Sequence, residues 1–182
     1  MRTRLLLSLL ATLATPALGA TPLLDFETDA DVAALRWGSQ GKSRLERSSQ
    51  FATSGTSSLK FTTPTWKKGM PQWPSFEAKP PVADWRPFDR LVVDVTTPRK
   101  EHYFFSLLVS DSKVPFRKGL KYRFSLPTCV FRRFVIPLSS FPKKVNRADI
   151  AILHFFTQRP KTDMELYLDN VVLLKKGETT RA

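Results

Sequence analysis

The sequence predicts an all-β protein, a jelly-roll β-sandwich of about ten strands in two antiparallel sheets, and three observations point there. Short runs rich in Val, Ile, Leu, Phe, Tyr and Thr recur along the chain, separated by loops of about 4 to 10 residues. Within most of them apolar and polar residues alternate, as in a strand with one buried and one exposed face. Only TDADVAALRW, Thr28 to Trp37, suggests a helical turn, with alanines and a leucine following an aspartate that can cap it.

The chain opens on MRTRLLLSLLATLATPALGA, which has the layout of a secretory signal: Arg2 and Arg4, an apolar run from Leu5 to Ala14, then small residues suited to cleavage after Gly19 or Ala20. That run is too short for a stable anchor, and no cysteine stands near the cleavage point, so a secreted or periplasmic protein without a membrane anchor is expected. The first strand is LLDFE, Leu23 to Glu27, with Asp25 and Glu27 on one face and Leu24 and Phe26 on the other. After the helical turn come a weak strand at Ser43 to Ser49 and a better one at Ser57 to Thr63, introduced by the turn Ala52-Thr53-Ser54-Gly55. TPTWKKGMPQWP, Thr63 to Pro74, fits neither period and reads as a long loop of the kind that carries binding residues.

Strands follow at Ser75 to Lys79, Phe88 to Thr97, His102 to Asp111, Leu120 to Pro127, Phe131 to Ser139 and Ala148 to Gln158. The closing strand DMELYLDNVVLL, Asp163 to Leu174, is too continuous for a helix face and too short for a membrane span. Asp169-Asn170 inside it marks a bulge or a site. No internal repeat or low-complexity linker divides the chain, so one domain is expected over residues 21–175, with 176–182 a frayed tail.

Removing Arg2 and Arg4 with the leader leaves 27 basic against 16 acidic residues, a formal charge of +11. An exported protein this basic meets anionic polysaccharide, anionic lipid or extracellular nucleic acid, unless the charge serves solubility alone. Cys129, the single cysteine, can form no internal disulfide and reads as an inert core thiol.

The succession LLDFE, Gly55 with SSLKF, WPSFEAKPPVADWRPFDRLVVDV, a strand ending in SD, FRRFVIPLSSF, ADIAILHFF and LYLDNVVLL resembles the non-catalytic carbohydrate-binding modules of the galactose-binding-like jelly-roll superfamily. The resemblance covers nearly all of the mature chain. Its most specific pieces are Asp-Trp-x-x-aromatic-Asp-x-Leu at Asp84 to Leu91 and Leu-Asp-Asn-Val at Leu168 to Val171. It implies a glycan ligand, no reaction, and a structural calcium between the terminal strands, where Glu27 and Asp169 match the motif positions. Such modules are often neutral or acidic, and this chain departs from that habit.

Four chemistries are open to these residues. Asp25, Glu27 and Asp169, the acids of the terminal strands, could hold a calcium ion, or they could pair with the abundant lysines and arginines. For glycan binding, alternation sends Val93, Val95, Phe105, Leu107, Val109, Tyr122, Phe124 and Leu126 to the core. It leaves Glu77, Lys79, Arg90, Asp94, His102, Ser106, Lys121, Arg123 and Ser125 outside. Arg90, Lys121 and Arg123 are thus expected on one face, where they could bind carboxylates or sulfates of a sugar chain. Trp66 and Trp73, on the loop that borders it, either stack on sugar or pin the loop, while Trp37 and Trp85 belong to the core.

Nucleic acid is not expected, because FRKGLKYRF, Phe116 to Phe124, is what any strand with a basic outer face looks like. Catalysis is not expected either. His154 lies in an apolar strand and reads as a satisfied core residue, and His102 has no obvious partner. A lyase built from Arg123, His102 and Tyr122 would need Tyr122 on the face that alternation denies it. The reading is a secreted, non-catalytic protein for an anionic polysaccharide, the alternatives being a calcium-stabilised structural or protein-binding sandwich of the cell envelope and a jelly-roll polysaccharide lyase.

Overall fold

The computed structural model describes residues 19–113 and 118–180. The leader lies outside them except for Gly19 and Ala20. Among the described residues eleven strands are formed: β1 (Thr21–Leu24), β2 (Arg36–Ser39), β3 (Arg44–Ser48), β4 (Ser58–Thr63), β5 (Ser75–Ala78), β6 (Arg90–Thr97), β7 (Tyr103–Asp111), β8 (Leu120–Leu126), β9 (Val130–Pro137), β10 (Ile150–Phe156) and β11 (Met164–Leu174). A short α-helix, α1 (Asp29–Ala33), is capped by Thr28, whose side chain accepts from the Asp31 amide while the Asp31 side chain accepts from the Thr28 amide. The cap is therefore the threonine before the expected aspartate.

Two antiparallel sheets face each other. The first runs β3-β4-β11-β6-β9, with β1 continuing the edge of β11 beyond β4, and the second runs β2-β5-β10-β7-β8. Strand β11 organises the first sheet because its apolar residues are long enough to serve both neighbours. It pairs with β4 over Met164 to Leu168 and with β6 over Tyr167 to Leu174. The register breaks between Asp169 and Val172, where Asn170 takes φ 48°, so the expected bulge is present.

Alternation fills the space between the sheets as expected. Leu59, Phe61, Val93, Val95, Leu166 and Leu168 from the first sheet meet Phe76, Phe105, Leu107, Phe124, Leu153 and Phe155 from the second. Phe76 and Phe155 stack at 5.1 Å and Phe105 and Phe155 at 6.0 Å, so rings dominate the second sheet's inner layer.

Four details differ from the expectation. β2 is an extra strand: RWGS is too short and too rich in glycine to show a period, and pairing with β5 forms it. β1 stops at Leu24 because Phe26 adopts φ 57°, so Leu23 and Phe26, rather than Leu24 and Phe26, are the buried pair. Cys129 is exposed at φ 43° in the turn between β8 and β9, its thiol on the Pro98 carbonyl at 3.2 Å. The tail, expected to fray, is held as far as Thr180: Arg90 donates to the Glu178 carbonyl at 2.6 Å and Arg133 to the Thr180 hydroxyl at 3.0 Å.

Candidate functional site

The outer face of the second sheet carries the candidate site, and strand registry dictates its layout. One row across all five strands reads Arg36, Glu77, His154, Leu108, Lys121. Two residues further along β5, β10, β7 and β8, and three along β2 across its register shift, the next row reads Ser39, Ser75, Phe156, Ser106, Arg123. Phe104 and Ser125 face each other in the row beyond. The middle of this face is apolar and its β8 edge is cationic.

A cavity of about 670 Å³ opens here, lined by Gly38, Ser39, Gln72, Trp73, Ser75, Leu108, Lys121, His154 and Phe156. Gly38 leaves room here: a Cβ there would stand 2.7 Å from Ser75 Oγ and 2.9 Å from His154 Cε1, so a side chain would have to displace one of them. The wall is the loop between β4 and β5. Trp73 is 42 % exposed at its end and meets Phe156 edge-on at 5.9 Å. The loop is fixed from behind, because Arg159 donates to Gln72 Oε1 at 2.7 Å and lies 5.0 Å from the Trp66 ring, and the Trp66 amide donates to the Pro160 carbonyl at 2.8 Å. Trp66 is half-buried and its indole N–H donates to Met70 O at 3.1 Å, so it pins the loop rather than lining the cavity. Of the two tryptophans, only Trp73 presents a face to a ligand.

Each β8 cation rests on a ring: Lys121 Nζ lies 5.3 Å from the Phe156 centroid and the Arg123 guanidinium 4.9 Å from that of Phe104. His102 packs against Phe104 at 4.7 Å and shares a 2.9 Å hydrogen bond with Ser125. His154 is on this outer face, not in the core, with Nδ1 2.9 Å from Glu77 Oε1. Burial lowers its pKa below the usual histidine value, against the pull of Glu77.

Arg90 does not join this group. It stands on β6, in the first sheet, so the expected common face of Arg90, Lys121 and Arg123 is split across the sandwich. Alternation sorts inward from outward on each strand but cannot say which sheet a strand joins. Tyr122 packs half-buried against Phe124 and Phe134 between the sheets, so it never meets Arg123 and His102 and the lyase trio is not assembled.

The three acids proposed for a metal are also dispersed. Glu27 accepts from the amides of Thr56 and Ser57 at 3.0 Å each and from the Thr56 hydroxyl at 2.8 Å. Asp169 Oδ2 accepts from the amides of Thr53 at 2.6 Å and Ser54 at 2.9 Å, and Oδ1 from Asn170 N at 2.7 Å. Burial pushes Asp169 up to about 6 in spite of these donors. Asp25 is exposed and lines a separate groove with Asp31 and Lys79.

Calcium needs several oxygens converging on one point, whereas these carboxylates converge on N–H groups of the 53–57 loop. A cation already stands at the Glu27 corner: Arg47 reaches Asp29 Oδ1 at 2.7 Å, Ser57 Oγ at 3.3 Å and the Glu27 carbonyl at 3.4 Å. Among the described residues no group of three or more His, Cys, Asp or Glu is placed to hold a metal. The residues present do not fit the implied calcium. A chelator added to calcium-saturated protein should therefore leave the melting temperature unchanged, and a fall of several degrees, restored by calcium, would overturn this.

Of the residues that line the cavity, sequence reasoning singles out Trp73 and Lys121, with Arg123 beside it, but not His154, Phe156, Leu108 or Ser75 as ligand-facing residues. The signal was in ADIAILHFFTQ: Leu153 and Phe155 share one parity and His154 and Phe156 the other, so one of the two pairs had to face outward.

No family model matches the chain, and none of the curated proteins does. Solved structures do. The family 11 carbohydrate-binding module from Clostridium thermocellum, solved with a β-1,3-1,4-mixed-linked tetrasaccharide, superposes with a TM-score of 0.66 at 17 % identity, over 90 % of this chain and 99 % of the module. An exo-β-agarase matches with a TM-score of 0.64 at 15 % identity, over 87 % of this chain and 25 % of the enzyme. A structure described as explaining the promiscuous specificity of carbohydrate-binding modules of the β-sandwich superfamily matches with a TM-score of 0.59 at 13 % identity, over 86 % of this chain and 63 % of that one. The fold is the jelly-roll sandwich of carbohydrate-binding modules.

Proposed function

We propose that this is an exported, non-catalytic protein that binds an anionic polysaccharide on the outer face of its second sheet. The fold shared with carbohydrate-binding modules supports the ligand class. The carrying observation for its charge is the state of Lys121 and Arg123. Among the described residues neither has a carboxylate partner, whereas several cations on or beside the first sheet do: Arg47 with Asp29, Arg133 with Asp94, Arg90 with Asp89, and Lys60 and Arg99 with Glu165, with Arg44 and Arg132 the exceptions. Two cations held on rings beside an aromatic-walled cavity can receive carboxylates or sulfates while a sugar's C–H face packs on Trp73.

Trp73→Ala and Arg123→Ala should each weaken binding to an acidic polysaccharide by about 1 to 3 kcal/mol without unfolding the protein, as expected for the loss of a stacking contact or a charge-assisted hydrogen bond. Binding should also fall as salt rises, since exposed charges are screened beyond about 8 Å at physiological ionic strength. Isothermal titration at two salt concentrations reads both effects. Salt-indifferent binding with a preference for neutral glucans would overturn the anionic assignment, and a folded Trp73→Ala variant with undiminished affinity would move the site.

A further inference from the structure

The cavity has two electrical sides, and they stand on different strands. Lys121 and Arg123 make the β8 side positive. On β5 the acid is Glu77, whose only ion-pair partner among the described residues is His154. The two side chains are 2.9 Å apart, and burial works against a positive charge on the imidazole. Arg36, its register neighbour on β2, and Lys79, two residues along β5, are exposed and form no ion pair with it.

Glu77 borders the cavity rather than lining it. Its side chain, 32 % exposed, lines the neighbouring groove with Arg36 and Lys79, and Oε1 lies 3.5 Å from where a Cβ on Gly38, a residue of the cavity wall, would stand. Between the two sides lie Leu108, Ser106 and Phe156, which carry no charge. From β5 to β8 is three strand spacings, about 14 Å at about 4.8 Å each, which is wider than a single sugar ring.

Resting on the anionic-polysaccharide reading above, we propose that the ligand is a polymer whose acidic units are separated by neutral ones. Its acid groups meet Lys121 and Arg123, while an uncharged, hydroxyl-bearing unit lies beside Glu77 and His154. A carboxylate accepts hydrogen bonds from sugar hydroxyls but repels another carboxylate, so Glu77 serves as the element that rejects a chain acidic at every unit. Ser75 and Gln72, at the same end of the cavity, add neutral donors and acceptors suited to hydroxyls.

The test compares three polymers on the full-length protein by isothermal titration at neutral pH: polygalacturonate, acidic at every unit; hyaluronan, with alternating acidic and neutral units; and a neutral β-glucan. The wild type should bind hyaluronan about 10-fold or more tighter than polygalacturonate, and Glu77→Gln, which keeps a hydrogen-bonding group toward His154, should cut that ratio to about 3-fold or less by tightening polygalacturonate. A wild type that prefers polygalacturonate, or a Glu77→Gln ratio equal to the wild type's, overturns the inference and leaves the anionic reading standing. If neither acidic polymer binds, both fall. The wild-type comparison needs no variant to fold.

Discussion

Trp85→Ala should lower the unfolding free energy by about 3 to 5 kcal/mol. Trp85 is fully buried, on the connection that carries the chain from β5 in the second sheet to β6 in the first. Its indole N–H donates to the Val82 carbonyl at 2.8 Å, and its ring meets Phe141 edge-on at 6.1 Å. Its amide donates to the Arg147 carbonyl at 2.7 Å, while the Arg147 guanidinium donates to the carbonyls of Trp85 at 2.9 Å and Phe88 at 2.7 Å. Alanine would leave a large void and strand the Val82 carbonyl without its donor, so transfer and desolvation costs add. Chemical denaturation should show a lower midpoint at unchanged slope, and Trp85→Phe should recover part of the loss. Because Trp85 does not line the cavity, variant that remains folded should bind polysaccharide normally; a Trp85→Ala protein as stable as the wild type would sink the claim.

The fold was legible because strand alternation is a local property. Val93, Val95, Phe105, Leu107, Val109, Phe124 and Leu126 all reach the core that their parity assigns them. What was not legible is which strands neighbour each other. Arg90 and Arg123 have the same outward parity, yet one faces out from each sheet, because the sheets are assembled from strands distant in sequence. His154 illustrates a second limit. A strand apolar on both parities reads as buried on both sides, and β10 is nearly so, because its outer face is covered by Trp73 and by Lys121 stretched over Phe156. The carboxylates show a third. Glu27 and Asp169 do stand at conspicuous corners, but the sequence cannot tell oxygen ligands from the N–H groups that the 53–57 loop supplies.

Asp94→Leu should cost about 3 to 5 kcal/mol, and the reason lies on the face opposite the cavity. The Asp94 side chain is fully buried and takes both Nε and a terminal nitrogen of Arg133 at 2.8 Å each, the Thr53 hydroxyl at 2.8 Å and Asn170 Nδ2 at 3.0 Å. Losing the carboxylate removes two charge-assisted hydrogen bonds from a largely buried guanidinium and one from the Asn170 side chain at the bulge. The loss is tempered because Asp169, the register partner of Asp94, no longer faces a second negative charge. Removing both ions is the decisive comparison: Asp94→Leu with Arg133→Met should be more stable than Asp94→Leu alone, since no uncompensated charge remains. Equal stability of the two would mean that Arg133 is not stranded and that lost packing alone explains the cost. Both proteins, where folded, should bind polysaccharide with wild-type affinity, because the network faces away from Trp73 and Arg123. A folded double variant that no longer binds would place the glycan on the first sheet, against the tail held by Arg90 and Arg133, and not on the second.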